Sequence, residues 1–194
     1  MWKRTVLYIT SLVVVVGLTA SCIFDPEKTP GGEEKKPPPS YKDLAEKDDV
    51  LFNLQLLYPQ YDWVEYSRVL DDDLIFFFAK DDIGEGFTEF VKDDEIRTLQ
   101  HMGDDSRDDA VLSINLNLSY SAGEWTAIVP EDQKYAGETW YLKTVVYNMT
   151  VQAEPNMTYV STDIKAQFTI REGEDQDGSK IWRIIRWRDA ISGG

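Results

Sequence analysis

The sequence predicts an α+β domain in which three N-terminal helices pack on a strongly curved antiparallel sheet. Apolar residues recur at three- and four-residue steps between residues 44 and 70, and again between 96 and 102, a spacing that gathers them on one face of a helix. Leu112, Ile114, Leu116, Leu118 and Tyr120 then alternate with Ser113, Asn115, Asn117 and Ser119, the period of two of a strand with one dry and one wet face. From there to residue 189, β-prone runs are separated by short turn sequences, so neighbouring strands are expected to pair antiparallel. Helices first and strands afterwards put the helices on one face of the sheet.

Ser40 with Asp43 three residues on, directly behind a proline triplet, marks the start of the first helix. Leu44, Val50, Leu51, Leu54, Leu57 and Tyr58 form its apolar stripe. Pro59 ends it, because proline lacks the N–H and its ring collides with the preceding turn. Asp62 and Glu65 repeat the cap spacing before a second short helix with Trp63, Tyr66, Val69 and Leu70, which runs into the aspartates at 71–73. Residues 74–79 read as a buried strand and 81–91, with Gly84 and Gly86, as a loop. The third helix is expected at 93–102, with an acidic start, Ile96, Leu99 and Met102 on one side and Gly103 at the stop. After a charged connection at 104–109, strands follow at 112–120, 125–129, 138–153, 157–171 and 180–189, with turns at Glu154-Pro155-Asn156 and at 173–178.

A chain of 194 residues suits one well-cored domain rather than two. Its 35 acidic and 20 basic residues give a net charge of -15, the wrong sign for a phosphate backbone, so no nucleic-acid partner is expected. The N-terminus has its own composition: Lys3 and Arg4, an apolar run over 6–18, then Thr19-Ala20-Ser21-Cys22. This is a secretory signal pattern, and the run is too short for a spanning helix, which needs about 20 residues. Cys22 is the only cysteine, so no internal disulfide can form. Small residues ahead of a lone cysteine resemble the lipobox of bacterial lipoproteins. That resemblance implies a signal peptide over 1–21 and lipidation of Cys22, and Ile23 behind it points to the outer membrane. Loss of Lys3 and Arg4 takes the charge to -17, so anionic headgroups repel the body and membrane attachment rests on the acyl anchor. Residues 22–40 then form a tether rich in Pro, Gly and charge, and 41–190 the single folded domain.

The aromatic run at 69–78 behind the second helix, and Trp182-Arg183-Ile184-Ile185-Arg186-Trp187-Arg188-Asp189 at the end, complete an element order that resembles the nuclear-transport-factor-two-like superfamily, which includes SnoaL-like proteins and ketosteroid isomerases. The resemblance implies a cone enclosing an apolar pocket, used by some members for acid–base catalysis and by others for binding or assembly. Phe76, Phe78, Trp140 and Trp187 are the candidate pocket wall, although a one-residue slip in any strand would exchange its faces. A proton shuttle inside such a cone needs a carboxylate beside a Tyr. Tyr66, Asp72 and Asp82 lie in regions near the cone mouth, but helix ends and solvated loops account for them, and no catalytic residue is singled out.

His101, the only histidine, falls at the negative end of the third helix. One histidine and one cysteine do not make a transition-metal cluster. Asp175-Gln176-Asp177-Gly178 echoes a calcium loop, but the first and twelfth ligand positions fall on Gly173 and Ile184, so a hairpin turn is expected. No metal and no cofactor is expected. The sequence thus points to a lipid-anchored envelope protein of non-catalytic type that binds a small apolar ligand or a protein partner, with a homodimer through the sheet as a further association. The alternative is a SnoaL-like enzyme for proton transfer or hydration on a hydrophobic carbonyl compound. A buried carboxylate within hydrogen-bond reach of a Tyr in the pocket favours the alternative.

Overall fold

The computed structural model describes residues 40–78, 89–104, 106, 110–154 and 156–189. The leader, Cys22, the tether up to residue 39, and Asp82 lie outside them. The first helix, α1 (Lys47–Leu57), starts later than Ser40 and Asp43 suggest, where the Glu46 N–H donates to Asp49 Oδ2 at 3.0 Å. Leu44 explains the shift: its φ of 62° is left-handed, a conformation that no right-handed helix contains. Its side chain is buried nonetheless, and its carbonyl accepts the Trp182 N–H at 2.9 Å. Asn53 of α1 fixes the incoming chain by exchanging two bonds with the backbone of Lys42, at 2.8 and 2.9 Å.

Val50, Leu51, Leu54 and Leu57 are at most 1% exposed, so the predicted stripe of α1 is the core face. Pro59 stops α1 as expected, inside a 3-10 turn (Tyr58–Gln60). Asp62 Oδ1 then accepts the Glu65 N–H at 3.2 Å and opens α2 (Trp63–Val69). The helix passes straight into β1 (Leu70–Phe77), which takes in the three aspartates that were expected to precede the strand. Asp71 and Asp73 fit there because Arg171 clamps Asp71 with two bonds of 2.7 and 2.8 Å and reaches Asp73 at 3.1 Å, replacing lost hydration with fixed donors. A short β2 (Glu89–Val91) replaces the tail of the expected loop and pairs with β1, and α3 (Lys92–Met102) follows as predicted.

The remaining strands are β3 (Val111–Ser119), β4 (Thr126–Ile128), β5 (Trp140–Ala153), β6 (Met157–Glu174) and β7 (Lys180–Asp189). The sheet order is β2-β1-β7-β6-β5-β3, with β4 also on β5. Pairing is antiparallel except between β1 and β7, which run parallel, so the sheet is mixed. Short turns could not reveal that pair, because it joins the first strand to the last. Between β6 and β7 the chain turns through Gly178 at a φ of 82°, with Ser179 N–H and Oγ on Asp177 at 2.9 and 2.6 Å, a hairpin turn in place of an ion loop.

Two irregularities curve the long strands. The β5–β6 register shifts between Tyr147 and Met149, where Asp163 at a φ of 55° donates its N–H to Asn148 Oδ1 at 2.9 Å. The β6–β7 register shifts at Thr169 and Ile170, whose partners are Arg186 and Ile184, so Ile185 is the extra residue. Such bulges bend a strand and turn the side chains beyond them over. The three helices cover the concave face, and Phe168, Ile170, Val145 and Ile184 there are fully buried.

Candidate functional site

On α3, Leu99 faces the core, and one turn before it the same face carries Glu95, which is only 6% exposed. The helix therefore delivers a carboxyl group into an apolar interface, at a cost that needs a partner. Tyr66 of α2 supplies it: its hydroxyl donates to Glu95 Oε1 at 3.0 Å. Burial pushes the Glu95 carboxyl up to about 7, the Tyr66 bond opposes this, and the charge of Asp189 adds to it. Burial, and next the charge of Glu95, raise both Tyr66 and Tyr58, so these phenols stay protonated.

Glu95 borders a cavity of about 190 Å³ between α3, the end of α1 and the concave face of the sheet. Phe76, Phe78 and Phe90 form one aromatic wall with Trp187, meeting edge to face at ring separations of 4.7 Å for 76–78 and 78–90 and 4.9 Å for 76–187. Leu116, Leu118 and Met149 close the opposite side. The polar groups are few: Glu95, Thr98, Tyr58, Tyr147 and Asp189. Asp189 accepts from Trp187 Nε1 at 3.2 Å and from the Tyr147 hydroxyl at 3.3 Å. The Tyr58 hydroxyl rests on the Met102 thioether at 4.0 Å, a weak acceptor that a ligand oxygen would displace.

Phe76, Phe78 and Trp187 thus lie together on the cavity wall, and Trp140 does not join them. On β5 the inward residues are Val145 and Tyr147, and Trp140 has the opposite parity. It sits on the outer face against Tyr135 at 4.9 Å and Ile185, with its Nε1 on Glu138 at 2.7 Å. Ile184 and Trp187 both face inward only because Ile185 is bulged, since strict alternation would have turned Trp187 outward. Of the residues near the predicted mouth, Tyr66 is part of the site, while Asp72 is turned outward onto Lys92 at 2.7 Å. His101 is exposed on the last turn of α3.

Sequence reasoning missed Glu95, Asp189, Tyr58 and Tyr147. For Glu95 a signal exists, because it stands four residues before Leu99 and seven before Met102, an acid inside the apolar stripe of α3. Asp189 has no such mark, since its place depends on the bulge in its own strand.

No family model matches the chain, and no curated protein matches it. Solved structures do. A candidate aromatic ring hydroxylase from Novosphingobium aromaticivorans superposes with a TM-score of 0.51 at 13% identity, covering 76% of this chain and 87% of that one. A candidate scytalone dehydratase from the same organism gives 0.49 at 13% identity, over 75% and 82% of the two chains. A nuclear-transport-factor-two-like protein of unknown function in nutrient uptake, from Rhodospirillum rubrum, gives 0.48 at 14%, over 75% and 98%. At 13% identity the likeness to the first of these is one of fold alone, three helices on a curved, open, mixed α+β sheet.

Proposed function

We propose that the cone is the active site of an acid–base enzyme that moves a proton on a small hydrophobic carbonyl compound. The observation that carries this reading is the buried Glu95 carboxyl, bonded to Tyr66 at 3.0 Å on the wall of an apolar cavity. A carboxyl titrating at about 7 is divided between acid and base at neutral pH, the condition under which one group both takes and returns a proton. Ionised Glu95 takes the proton from carbon next to the carbonyl. The enolate oxygen accepts the Tyr58 hydroxyl, which leaves Met102 for the better acceptor, and protonated Glu95 returns the proton to the carbon skeleton. Tyr66 holds the carboxyl in place throughout, and Asp189, fixed by Trp187 and Tyr147, keeps its affinity for the proton high. A volume of about 190 Å³ suits a single ring, since apolar cavities of about 150 Å³ take benzene.

The test is proton exchange at carbon. Single-ring ketones incubated with the protein in deuterated buffer, followed by NMR, are expected to lose their acidic C–H signals with a rate that rises through pH 7. Glu95→Gln is expected to cut that rate at least about a hundredfold. Ligand binding with no exchange above the buffer rate, in wild type as in Glu95→Gln, returns the site to binding without turnover.

We propose as well that the cone lies outside the cytosol, held by lipid on Cys22 behind the tether of 22–40, at the outer membrane. Support comes from the leader and the lone cysteine. Labelled fatty acid is expected to enter the wild-type chain and not Cys22→Ser, which should move to the soluble fraction. Unchanged fractionation of that variant would remove the anchor from the proposal.

A further inference from the structure

The outer face of the sheet carries a second recess that the proton chemistry does not use. It measures about 480 Å³, within the range of small-molecule sites, and its floor is formed by Phe77, Trp140, Leu142 and Thr169 with Arg186 and Arg188. The two arginines are conspicuous in a chain of net charge -15. Five cations elsewhere are held by acids, Lys42 by Asp49, Lys92 by Asp72, Lys134 by Asp73, Lys143 by Asp48 and Arg171 by Asp71, each at 3.0 Å or less, whereas Lys47 lies over the rings of Tyr141 and Trp182 and Arg183 donates to the Glu174 carbonyl. Arg186 donates to two backbone carbonyls, of Asp73 and Ile185, at 2.8 and 2.7 Å, and among the described residues neither it nor Arg188 forms an ion pair with a carboxylate.

Both guanidinium groups are instead positioned by aromatic rings. Arg188 lies over Phe77 at 4.8 Å from the ring centre, and Arg186 over Trp140 at 5.2 Å and Tyr135 at 5.8 Å. Stacking fixes a planar fork of donors without spending its charge. The acids on the loop side are Glu131 and Asp132, and Asp132 Oδ1 is already occupied by the Lys134 N–H at 2.9 Å. The bulge at Ile185 creates the arrangement, since it turns Arg186 to the outer face, where Arg188 then follows two residues on.

We propose that this recess binds a small organic anion, with its carboxylate on Arg186 and Arg188 and its apolar body on Phe77, Trp140 and Leu142. Complementarity of charge selects the anion, and the apolar floor selects an aromatic or aliphatic body over inorganic anions. The site lies on the face of the sheet opposite to Glu95, so it stands or falls independently of the proton chemistry.

Calorimetric titration of the full-length chain with 2-naphthoate tests the proposal, with 2-naphthalenemethanol as the neutral match and inorganic phosphate as an anion without an apolar body. Naphthoate is expected to bind at millimolar concentration or below, more weakly as salt is raised, while the alcohol and phosphate bind at least about tenfold less well. Arg188→Gln, at an exposed position, should cost about tenfold in affinity, Arg188→Lys should restore part of it, and Glu95→Gln should leave it unchanged. Equal binding of naphthoate to Arg188→Gln, or of the alcohol to wild type, overturns the proposal. So does a dimer in sedimentation that Arg188→Gln converts to monomer, which would give the recess to a second copy of the chain.

Discussion

Replacing Glu95 by Gln removes an ionisable group while keeping an oxygen for the Tyr66 hydroxyl, and its effect on stability is expected to depend on pH. In the folded protein this carboxyl titrates at about 7, against an ordinary 4.5 in the unfolded chain. Well below pH 4.5 it is protonated in both states and costs the fold nothing. As the pH rises past that value, the unfolded chain releases a proton that the folded protein keeps, so the wild type loses stability until the folded group also ionises near 7. At about 1.36 kcal/mol per pH unit the full cost is about 3 kcal/mol, most of which develops between pH 5 and pH 8. Urea unfolding of wild type and Glu95→Gln at those two pH values measures it, because titrating groups that do not interact with Glu95 cancel in the comparison. The variant is expected to gain about 2 to 3 kcal/mol on wild type over that interval. Parallel stabilities at both pH values would mean that Glu95 ionises like a solvated acid, and the reasoning about its role would fail with it.

Trp187→Ala removes the ring that meets Phe76 at 4.9 Å and the N–H that holds Asp189 at 3.2 Å; it should cost about 3–5 kcal/mol in urea unfolding and admit a larger ring in ligand titrations. Arg171→Leu leaves Asp71, 3% exposed, without its two-bond partner and should cost about 3 kcal/mol, most of it recovered in the double variant Arg171→Leu with Asp71→Leu. Asn53→Ala breaks both bonds to Lys42 and should cost about 1–3 kcal/mol, with faster hydrogen exchange at the Lys42 amide.

The local rules were sufficient where an element is stabilised by its own neighbours. The stripe of α1, the Asp62 cap of α2, the extent of α3 and the hairpin at Gly178 follow from spacing and backbone preference. The same rules misplaced the start of α1, because the left-handed Leu44 is held by a bond to Trp182, far along the chain. They set Asp71 and Asp73 outside β1 because the arginine that makes them tolerable lies a hundred residues away.

The alternation of polar and apolar residues determined by itself that helices would cover one face of a sheet, since each side chain's preference for water or core is a property of the residue. Which side chains share the cavity was decided only in three dimensions. One extra residue at Ile185 turns Trp187 and Asp189 inward and Arg186 and Arg188 outward, while the unbroken parity of β5 sends Trp140 to the other face. A strand's faces exchange with every residue of register, and register is set by the pairing of distant strands. The proton affinity of Glu95 has the same origin, because it reflects the removal of water by residues from every layer of the fold.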